Sequence, residues 1–256
     1  MNLEELKESA KSIFSKDFCD EQKEKAVERA EKARNAAILN ISRAPLPLLQ
    51  NAEEKEKFII LIDIVGFSKS SSREQLYKIY VFQRYIMTQV LSNRFSFSGK
   101  ILIDLFVPTG DGCYIIADKC REEVALSFLE NLMCGIKFLS DGEKEPFAIR
   151  TSALMGKCIP FVDLARHRNY VGEGMNEASR ILSGGQAALE EAFKKENPSF
   201  KEGEEKVFSR NTLYLGQSLF EAAEKIQTSF EEKRLFTSVK DKHGKERNIL
   251  VLRSAK

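Results

Sequence analysis

The chain has 256 residues, of which 43% are hydrophobic, a length that allows one large domain or one domain with an extension. Lysine and arginine number 40 against 38 aspartates and glutamates, so composition does not favour nucleic-acid binding. The five cysteines show no Cys-x-x-Cys spacing, which is typical of reduced thiols. Because the start lacks a signal-peptide pattern and no apolar run could span a bilayer, we expect a cytoplasmic protein with no membrane partner.

The first 44 residues differ in character from the rest of the chain. They are highly charged and helix-favouring, with apolar residues at helical spacing, a break near residues 17–20 and a second stretch over 21–41. Pro45 and Pro47 end this pattern. We therefore expect a helical amino-terminal extension over residues 1–44 and one domain over residues 45–256.

Residues 58–68, FIILIDIVGFS, place one carboxylate at the end of an apolar strand. The continuous apolar run 58–62 is typical of a strand covered on both faces. Asp63 follows, and a carboxylate there is costly unless it meets a cation or hydrogen-bond donors. Gly66 lets backbone N–H groups approach an anion, and a helix is predicted to begin near Ser72.

A second carboxylate lies in a predicted β-hairpin. Residues 100–118 hold two apolar runs joined by Thr-Gly-Asp-Gly, which favours a tight turn with Asp111 at its tip. Asp63 and Asp111 on neighbouring strand ends, beside a glycine-bearing turn, would form a site for two divalent cations and a polyphosphate. Mg²⁺ or Mn²⁺ is favoured over zinc because the two histidines, His167 and His243, form no His/Cys cluster. A plain turn residue is the alternative interpretation of Asp111.

The third notable stretch is NYVGEGMNEASR, residues 169–180, a glycine-bearing loop that runs into a helix. Asn176 and Arg180 are four residues apart and share one helix face. The alternative interpretation of Arg180 is an exposed helix arginine.

The remaining pattern predicts a helix over 121–139, a strand over 147–155 and a turn at Gly156. After the Asn/Arg helix, Gly184-Gly185 separates a short helix that reaches about residue 195. The carboxyl-terminal part predicts a strand over 206–210, a helix over 217–228 and two strands joined at 241–245.

These three stretches, in this order, resemble the class III nucleotidyl cyclases, the adenylyl and guanylyl cyclase catalytic domains. In that family a strand ends in Asp-Ile/Met-x-Gly-Phe-Ser/Thr, a hairpin carries Gly-Asp, and a later helix carries Asn-x-x-x-Arg. The resemblance covers about residues 58–252. It implies an α/β (α+β) fold with a ferredoxin-like core, in which helices cover one face of a mixed or antiparallel sheet.

The resemblance also implies roles for individual residues. Asp63 and Asp111 would each bridge two divalent cations, Mg²⁺ or Mn²⁺, and the Ile64 carbonyl would add a ligand. Asn176 would orient the ribose, and Arg180 would meet charge that develops on the α-phosphate. The terminal phosphates would be held in the glycine turn and near the carboxyl terminus, by Gly66, Phe67, Ser68 and Lys242, with Lys245 as an alternative to Lys242.

In this family the metals come from one subunit and the Asn/Arg pair from the other. One chain that carries both halves implies a homodimer with two sites at its interface. The reaction would be attack of the 3′-oxygen on the α-phosphate, which gives a 3′,5′-cyclic nucleotide and pyrophosphate.

Two positions depart from the purine-specific pattern. Val107 stands four residues before Asp111, where adenylyl cyclases carry lysine and guanylyl cyclases glutamate. Asn169 stands seven residues before Asn176, where adenylyl cyclases usually carry aspartate, threonine or serine. A pocket of this kind lacks the partners that read adenine, whereas an amide can pair with either pyrimidine.

The short chain and its Lys-His-Gly turn at 242–244 are similar to the stand-alone bacterial pyrimidine cyclases of Pycsar-type anti-phage defence. That resemblance implies UTP, or else CTP, as substrate and a separate effector that responds to the cyclic nucleotide. Two alternatives stay open: an adenylyl cyclase that makes cyclic AMP, and a degenerate cyclase-like module that binds nucleotide or acts as a scaffold. A diguanylate-forming palm is less favoured because the sequence has no Gly-Gly-Asp-Glu-Phe stretch.

Overall fold

The structure is a computed structural model that describes residues 24–25, 27–33, 35, 53–96, 101–142, 147–163, 167–196, 211–225, 235–240 and 246–253. The chain divides into two units, residues 1–52 and 53–256. In the first unit the described residues are helical and exposed, in agreement with the helix predicted over 21–41. The boundary predicted at 44/45 lies outside the described residues. None of the described helices has the length and apolar character needed to cross a membrane.

The described residues of the second unit form eight strands and four α-helices. In chain order they are β1 (Lys55–Ile64), α1 (Ser72–Ser96), β2 (Ile103–Pro108), β3 (Gly112–Asp118), α2 (Glu122–Asp141), β4 (Ile149–Val162), β5 (Arg168–Val171), α3 (Glu173–Glu196), β6 (Thr212–Gly216), α4 (Gln217–Lys225), β7 (Leu235–Lys240) and β8 (Glu246–Arg253). This order confirms the predicted α/β class and the predicted hairpin of β2 and β3.

One mixed sheet organises these elements. Its strands follow the order β2-β3-β1-β4-β6-β8-β7, and β5 pairs with the far end of β4. β4 and β6 run parallel, whereas the other pairs are antiparallel. β1 lies between β3 and β4 and is buried from Lys57 to Ile64, as its apolar run predicts.

Each face of the sheet packs against helices. Alternate residues of β1, from Phe58 to Ile64, pack in a cluster with side chains of α1, α2 and α4. The other residues, Ile59 and Leu61, pack in a second cluster with side chains of α3. The expectation that helices cover one face only is therefore wrong. Helix α3 covers the opposite face because its own apolar residues, among them Ile181 and Leu189, are buried there.

Two glycine-based predictions were also wrong. β4 does not turn at Gly156 but continues to Val162, and the absence of a side chain there lets the start of α3 approach: a Cβ would lie 2.8 Å from the Gly174 Cα. Helix α3 continues through Gly184-Gly185 without a break. Gly185 serves packing instead, because a Cβ at that position would overlap the ring of Tyr214. The strand predicted over 206–210 lies outside the described residues, and the observed β6 begins at Thr212.

Candidate active site

The two predicted carboxylates lie on adjacent strands. Asp63 is opposite Gly112 in the β1–β3 register, and the Ile64 N–H donates to the Asp111 carbonyl at 3.0 Å. Gly112 allows this approach, because a Cβ there would lie 1.9 Å from the Ile62 carbonyl oxygen. Packing at the strand ends therefore requires a glycine directly after Asp111, and this close strand approach brings Asp111 to Asp63.

Asp63 is a buried carboxylate with one cationic partner and one anionic neighbour. Arg150, its register partner on β4, donates from Nε to Asp63 Oδ2 at 2.6 Å and also contacts that oxygen through Nη2. Burial raises the pKa of Asp63 to about 6; Arg150 opposes this rise and Asp111 adds to it. Asp63 thus has one arginine as partner and a second carboxylate as neighbour, which leaves the Asp63–Asp111 pair short of positive charge.

This donor set fits a hard divalent cation. Carboxylate oxygens are the ligands that Mg²⁺ and Mn²⁺ prefer, and such ions keep several ligand positions for water and phosphate oxygens. Among the described residues no group of three or more His, Cys, Asp and Glu side chains converges on one point. Asp63 and Asp111 would therefore hold the cations, with a carbonyl such as that of Ile64 and the substrate completing the ligands.

The loop after β1 has the geometry expected of a phosphate turn. Gly66 has φ of +69°, and a 3₁₀ turn, Phe67–Lys69, follows it. The Lys69 N–H donates back to the Gly66 carbonyl at 3.1 Å. The first amides of such a turn, those of Phe67 and Ser68, have no acceptor within the turn and are available to an anion.

A cavity of about 270 Å³ surrounds the carboxylates. Several of its polar lining residues were not predicted from the sequence, namely Arg150, Tyr114 and two serines of α3. The Tyr114 hydroxyl donates to the Met175 carbonyl at 3.1 Å and so joins β3 to α3. The cavity is lined by Leu61, Asp63, Thr109, Asp111, Tyr114, Arg150, Ser179, Leu182 and Ser183.

The predicted Asn/Arg pair does not line this cavity. Asn176 is exposed and Arg180 half-buried on α3, whereas Ser179 and Ser183 of the same helix face the carboxylates. The Asn176 N–H donates to the Gly172 carbonyl at 3.3 Å in the first turn of the helix. Within one chain, therefore, the metal half and the Asn/Arg half of the predicted site remain apart.

The predicted base-pocket residues also lie away from the cavity. Val107 is half-buried on β2 and packs against the cluster under α3. Asn169 is half-buried on β5, where its Oδ1 accepts the N–H of Tyr170 at 2.8 Å. Lys242 and Lys245 lie outside the described residues.

Comparison with known proteins gives similarity in structure alone. No family model and no curated protein matches the chain. The guanylyl cyclase Cya2 is similar, with 14% identity, a TM-score of 0.52, and coverage of 80% of this chain and 95% of that protein. The guanylate cyclase domain of RhGC from Catenaria anguillulae has 18% identity, a TM-score of 0.47, and coverage of 80% and 100%. A bacterial light-regulated adenylyl cyclase has 12% identity, a TM-score of 0.46, and coverage of 89% and 61%.

The likeness to Cya2 establishes the fold. The chain has the α/β fold of class III cyclase catalytic domains, and it spans nearly the whole length of that neighbour. The fold alone does not define an activity, which must be argued from the site.

Proposed function

We propose that this protein is a nucleotidyl cyclase that converts a nucleoside triphosphate to a 3′,5′-cyclic nucleotide and pyrophosphate. The observation that carries the proposal is the pairing of Asp63 with Asp111 at adjacent strand ends, in a cavity beside the Gly66 turn. Two carboxylates short of positive charge, next to free amides, match the needs of two cations and a triphosphate.

In this proposal Asp63 and Asp111 hold two Mg²⁺ or Mn²⁺ ions, which when bound activate the 3′-oxygen and neutralise charge on the pyrophosphate. The amides of Phe67 and Ser68 bind the terminal phosphates, and the ammonium group of Lys242 adds a positive charge beside those phosphates. The 3′-oxygen forms a bond to the α-phosphorus, the bond to the β-phosphate oxygen breaks, and the 3′ proton passes to water.

The remaining groups come from a second copy of the chain. The cavity of about 270 Å³ is lined by the proposed metal ligands but by neither of the groups proposed for the ribose and the α-phosphate. Asn176 and Arg180 lie outside it, as expected if they complete the site of a partner subunit. In the homodimer, Asn176 orients the ribose and Arg180 stabilises charge on the α-phosphate.

The substrate base in this proposal is a pyrimidine, UTP or CTP. Like Asn176 and Arg180, Val107 and Asn169 lie outside the cavity of their own chain, so in the homodimer they would read the base in the partner's site. Val107 offers no hydrogen bond to a purine, and Asn169 has an amide that suits a pyrimidine edge. The cyclic nucleotide would act as a second messenger on a separate effector, in the manner of bacterial anti-phage signalling.

The test is to incubate the purified protein with Mn²⁺ and equal amounts of ATP, GTP, CTP and UTP, and to identify products by chromatography and mass. Cyclic UMP or cyclic CMP as the main product supports both the cyclase activity and the pyrimidine assignment. Cyclic AMP supports the cyclase but overturns the pyrimidine assignment. If no cyclic product forms and nucleotide still binds, the protein is a binding module and the proposed activity is wrong.

A further inference from the structure

An ionic cluster that the proposed reaction does not use lies at the amino-terminal end of β1. Lys57 is buried, and its Nζ donates to Asp104 Oδ2 at 2.8 Å and to Asp118 Oδ1 at 2.5 Å. Arg168 Nη1 lies 2.8 Å from Asp104 Oδ1, and the Tyr170 hydroxyl donates to Asp104 Oδ2. Asp104 thus receives three donors from two strands, β1 and β5.

Asp104 ties β5 to β2. The β2–β3 register shifts between Ile103 and Leu105, so Asp104 is the residue of a bulge, a device that redirects a side chain. Among the described residues β5 pairs in register only with the last residues of β4. Its hold on β2 comes from Arg168 and Tyr170, both of which contact Asp104.

These two strands carry the proposed base pocket. Val107 lies three residues after Asp104 on β2, and Asn169 lies between Arg168 and Tyr170 on β5. Because side chains alternate along a strand, Asn169 lies on the side of β5 opposite to the two residues that bind Asp104. The contacts of Asp104 with Arg168 and Tyr170 therefore hold β5 in place without involving the Asn169 side chain.

The hydrogen bond of Asn169 fixes which amide atom faces a ligand. Its side chain accepts the Tyr170 N–H at 2.8 Å, and only the amide oxygen can accept from an N–H. The amide nitrogen, a donor only, is left for the base. At the edge where uracil and cytosine differ, uracil has a carbonyl oxygen and cytosine an amino group, so a donor pairs with uracil and meets another donor on cytosine.

We propose that Asp104 is a positioning residue that holds β5, and that Asn169, oriented in this way, selects uracil over cytosine by donating to the base carbonyl. The inference rests on the proposed function, in which Asn169 reads the base. It gives a structural reason for UTP rather than CTP as the substrate.

The first experiment exchanges the donor for an acceptor. Asn169→Asp keeps an oxygen for the Tyr170 N–H but offers the base only an acceptor, which suits the amino group of cytosine. We expect the ratio of kcat/KM for UTP to that for CTP to fall about tenfold or more, in line with the loss of one hydrogen bond and the gain of a mismatch. Asn248→Asp, which makes the same chemical change at an exposed position of β8, should leave the ratio unchanged.

Binding of 3′-deoxy-UTP and 3′-deoxy-CTP, which have no 3′-hydroxyl to react, provides a readout that does not depend on turnover. The wild-type protein should bind the uridine compound more tightly, and Asn169→Asp should reverse or remove this preference. Equal affinities for the two compounds in the wild-type protein would overturn the inference. A protein that prefers the uridine compound yet forms no cyclic product would instead contradict the proposed function.

The second experiment tests whether Asp104 affects the base preference by holding β5 or only through the stability of the fold. Asp104→Asn and Asp118→Asn each remove a carboxylate that Lys57 contacts, but only Asp104→Asn also weakens the hold on Arg168 and Tyr170. We expect Asp104→Asn to raise KM for UTP and to reduce the UTP preference, with a smaller change in kcat, and Asp118→Asn to change neither.

Tyr170→Phe keeps the ring and removes only the hydroxyl that donates to Asp104. It provides a second test of the same contact if Asp104→Asn does not fold. It should shift the UTP preference in the same direction by a smaller factor. If folded Asp104→Asn and Tyr170→Phe both retain the wild-type KM and base preference, Asp104 is not a positioning residue.

Discussion

Strand β1 carries an ionic cluster at each end of one face, and the two clusters differ in how their charges are balanced. At the carboxyl-terminal end, Asp63 has Arg150 as its cationic partner and Asp111 as an anionic neighbour. At the amino-terminal end, six residues or roughly 20 Å away, Lys57 lies between Asp104 and Asp118, and β5 adds two further donors to Asp104. The first cluster is short of cations, whereas the second is saturated.

The pKa values follow this difference. Burial raises the pKa of Asp63 to about 6 in spite of Arg150. Burial alone would also raise the pKa of Asp104, but hydrogen bonds from Lys57 and Tyr170 lower it below its ordinary value. A buried carboxylate that remains poorly compensated indicates a functional site, and a fully compensated one indicates structure.

The largest expected effect is loss of turnover at the cation-poor cluster. Asp63→Ala or Asp111→Ala should reduce cyclic nucleotide formation below detection, because neither variant can hold both cations, while circular dichroism shows an intact fold. Asp141→Ala, at a carboxylate 58% exposed on α2, serves as the control and should retain turnover. Wild-type rates in either site variant would contradict the metal assignment.

The next prediction tests whether the cation-poor cluster is completed by a partner subunit. Asp63→Ala and Arg180→Ala chains should each be inactive alone. Mixed in equal amounts, they should form mixed dimers as about half of the total, each with one intact site, so activity should return to about a quarter of wild type. A mixture that exchanges subunits, shown by tagged chains, and stays inactive would rule out the shared site.

Sequence reasoning succeeded where a short motif determines its own geometry. The Asp63 strand and the Gly-Asp-Gly hairpin were both predicted, because an apolar run and a tight turn depend on neighbouring residues. It failed at Gly156 and at Gly184-Gly185, since there the glycines serve packing between distant elements: α3 against β4, and Tyr214 against α3. Local propensity does not report such contacts.

The counter-charges were not predictable for a related reason. Arg150 meets Asp63 across a strand pair formed by residues 87 apart in sequence, and Lys57 meets Asp104 across 47. Nothing in either local sequence indicates the partner. The register of the sheet decides it, and the register became known only with the structure.

The saturated cluster should matter more for stability than for chemistry. Asp104→Ala leaves Lys57 buried with one carboxylate and removes the hold on β5, so we expect the free energy of unfolding to fall by about 3–5 kcal/mol, the usual cost of breaking a buried ion pair. Urea denaturation would measure this loss. Glu56→Ala, which breaks the exposed pair with Lys119, should cost at most about 1 kcal/mol and provides the comparison. Equal losses in the two variants would show that the Lys57–Asp104 pair contributes no more to stability than an exposed ion pair does.

The smallest effect concerns the pH dependence of stability at Asp63. Its pKa is about 6 in the folded chain and near 3.8 when unfolded, so the folded state holds the proton more tightly between these values. The unfolding free energy therefore falls as pH rises from about 4 to 6, by up to about 3 kcal/mol for a shift of this size. Asp63→Asn has no such titration, so its stability relative to wild type should increase over that range and stay constant above it.

Urea denaturation of both proteins at pH 4.5 and pH 7.5, without divalent cations, measures this difference, with Asp118→Asn as a control for a more exposed carboxylate. Mn²⁺ should then stabilise the wild-type protein more at pH 7.5 than at pH 4.5, because the cation and the proton compete for Asp63. Asp63→Asn should respond weakly to Mn²⁺ at both pH values. A variant whose stability follows the wild-type protein across the whole range would mean that Arg150 compensates Asp63 fully, and the contrast between the two ends of β1 would disappear.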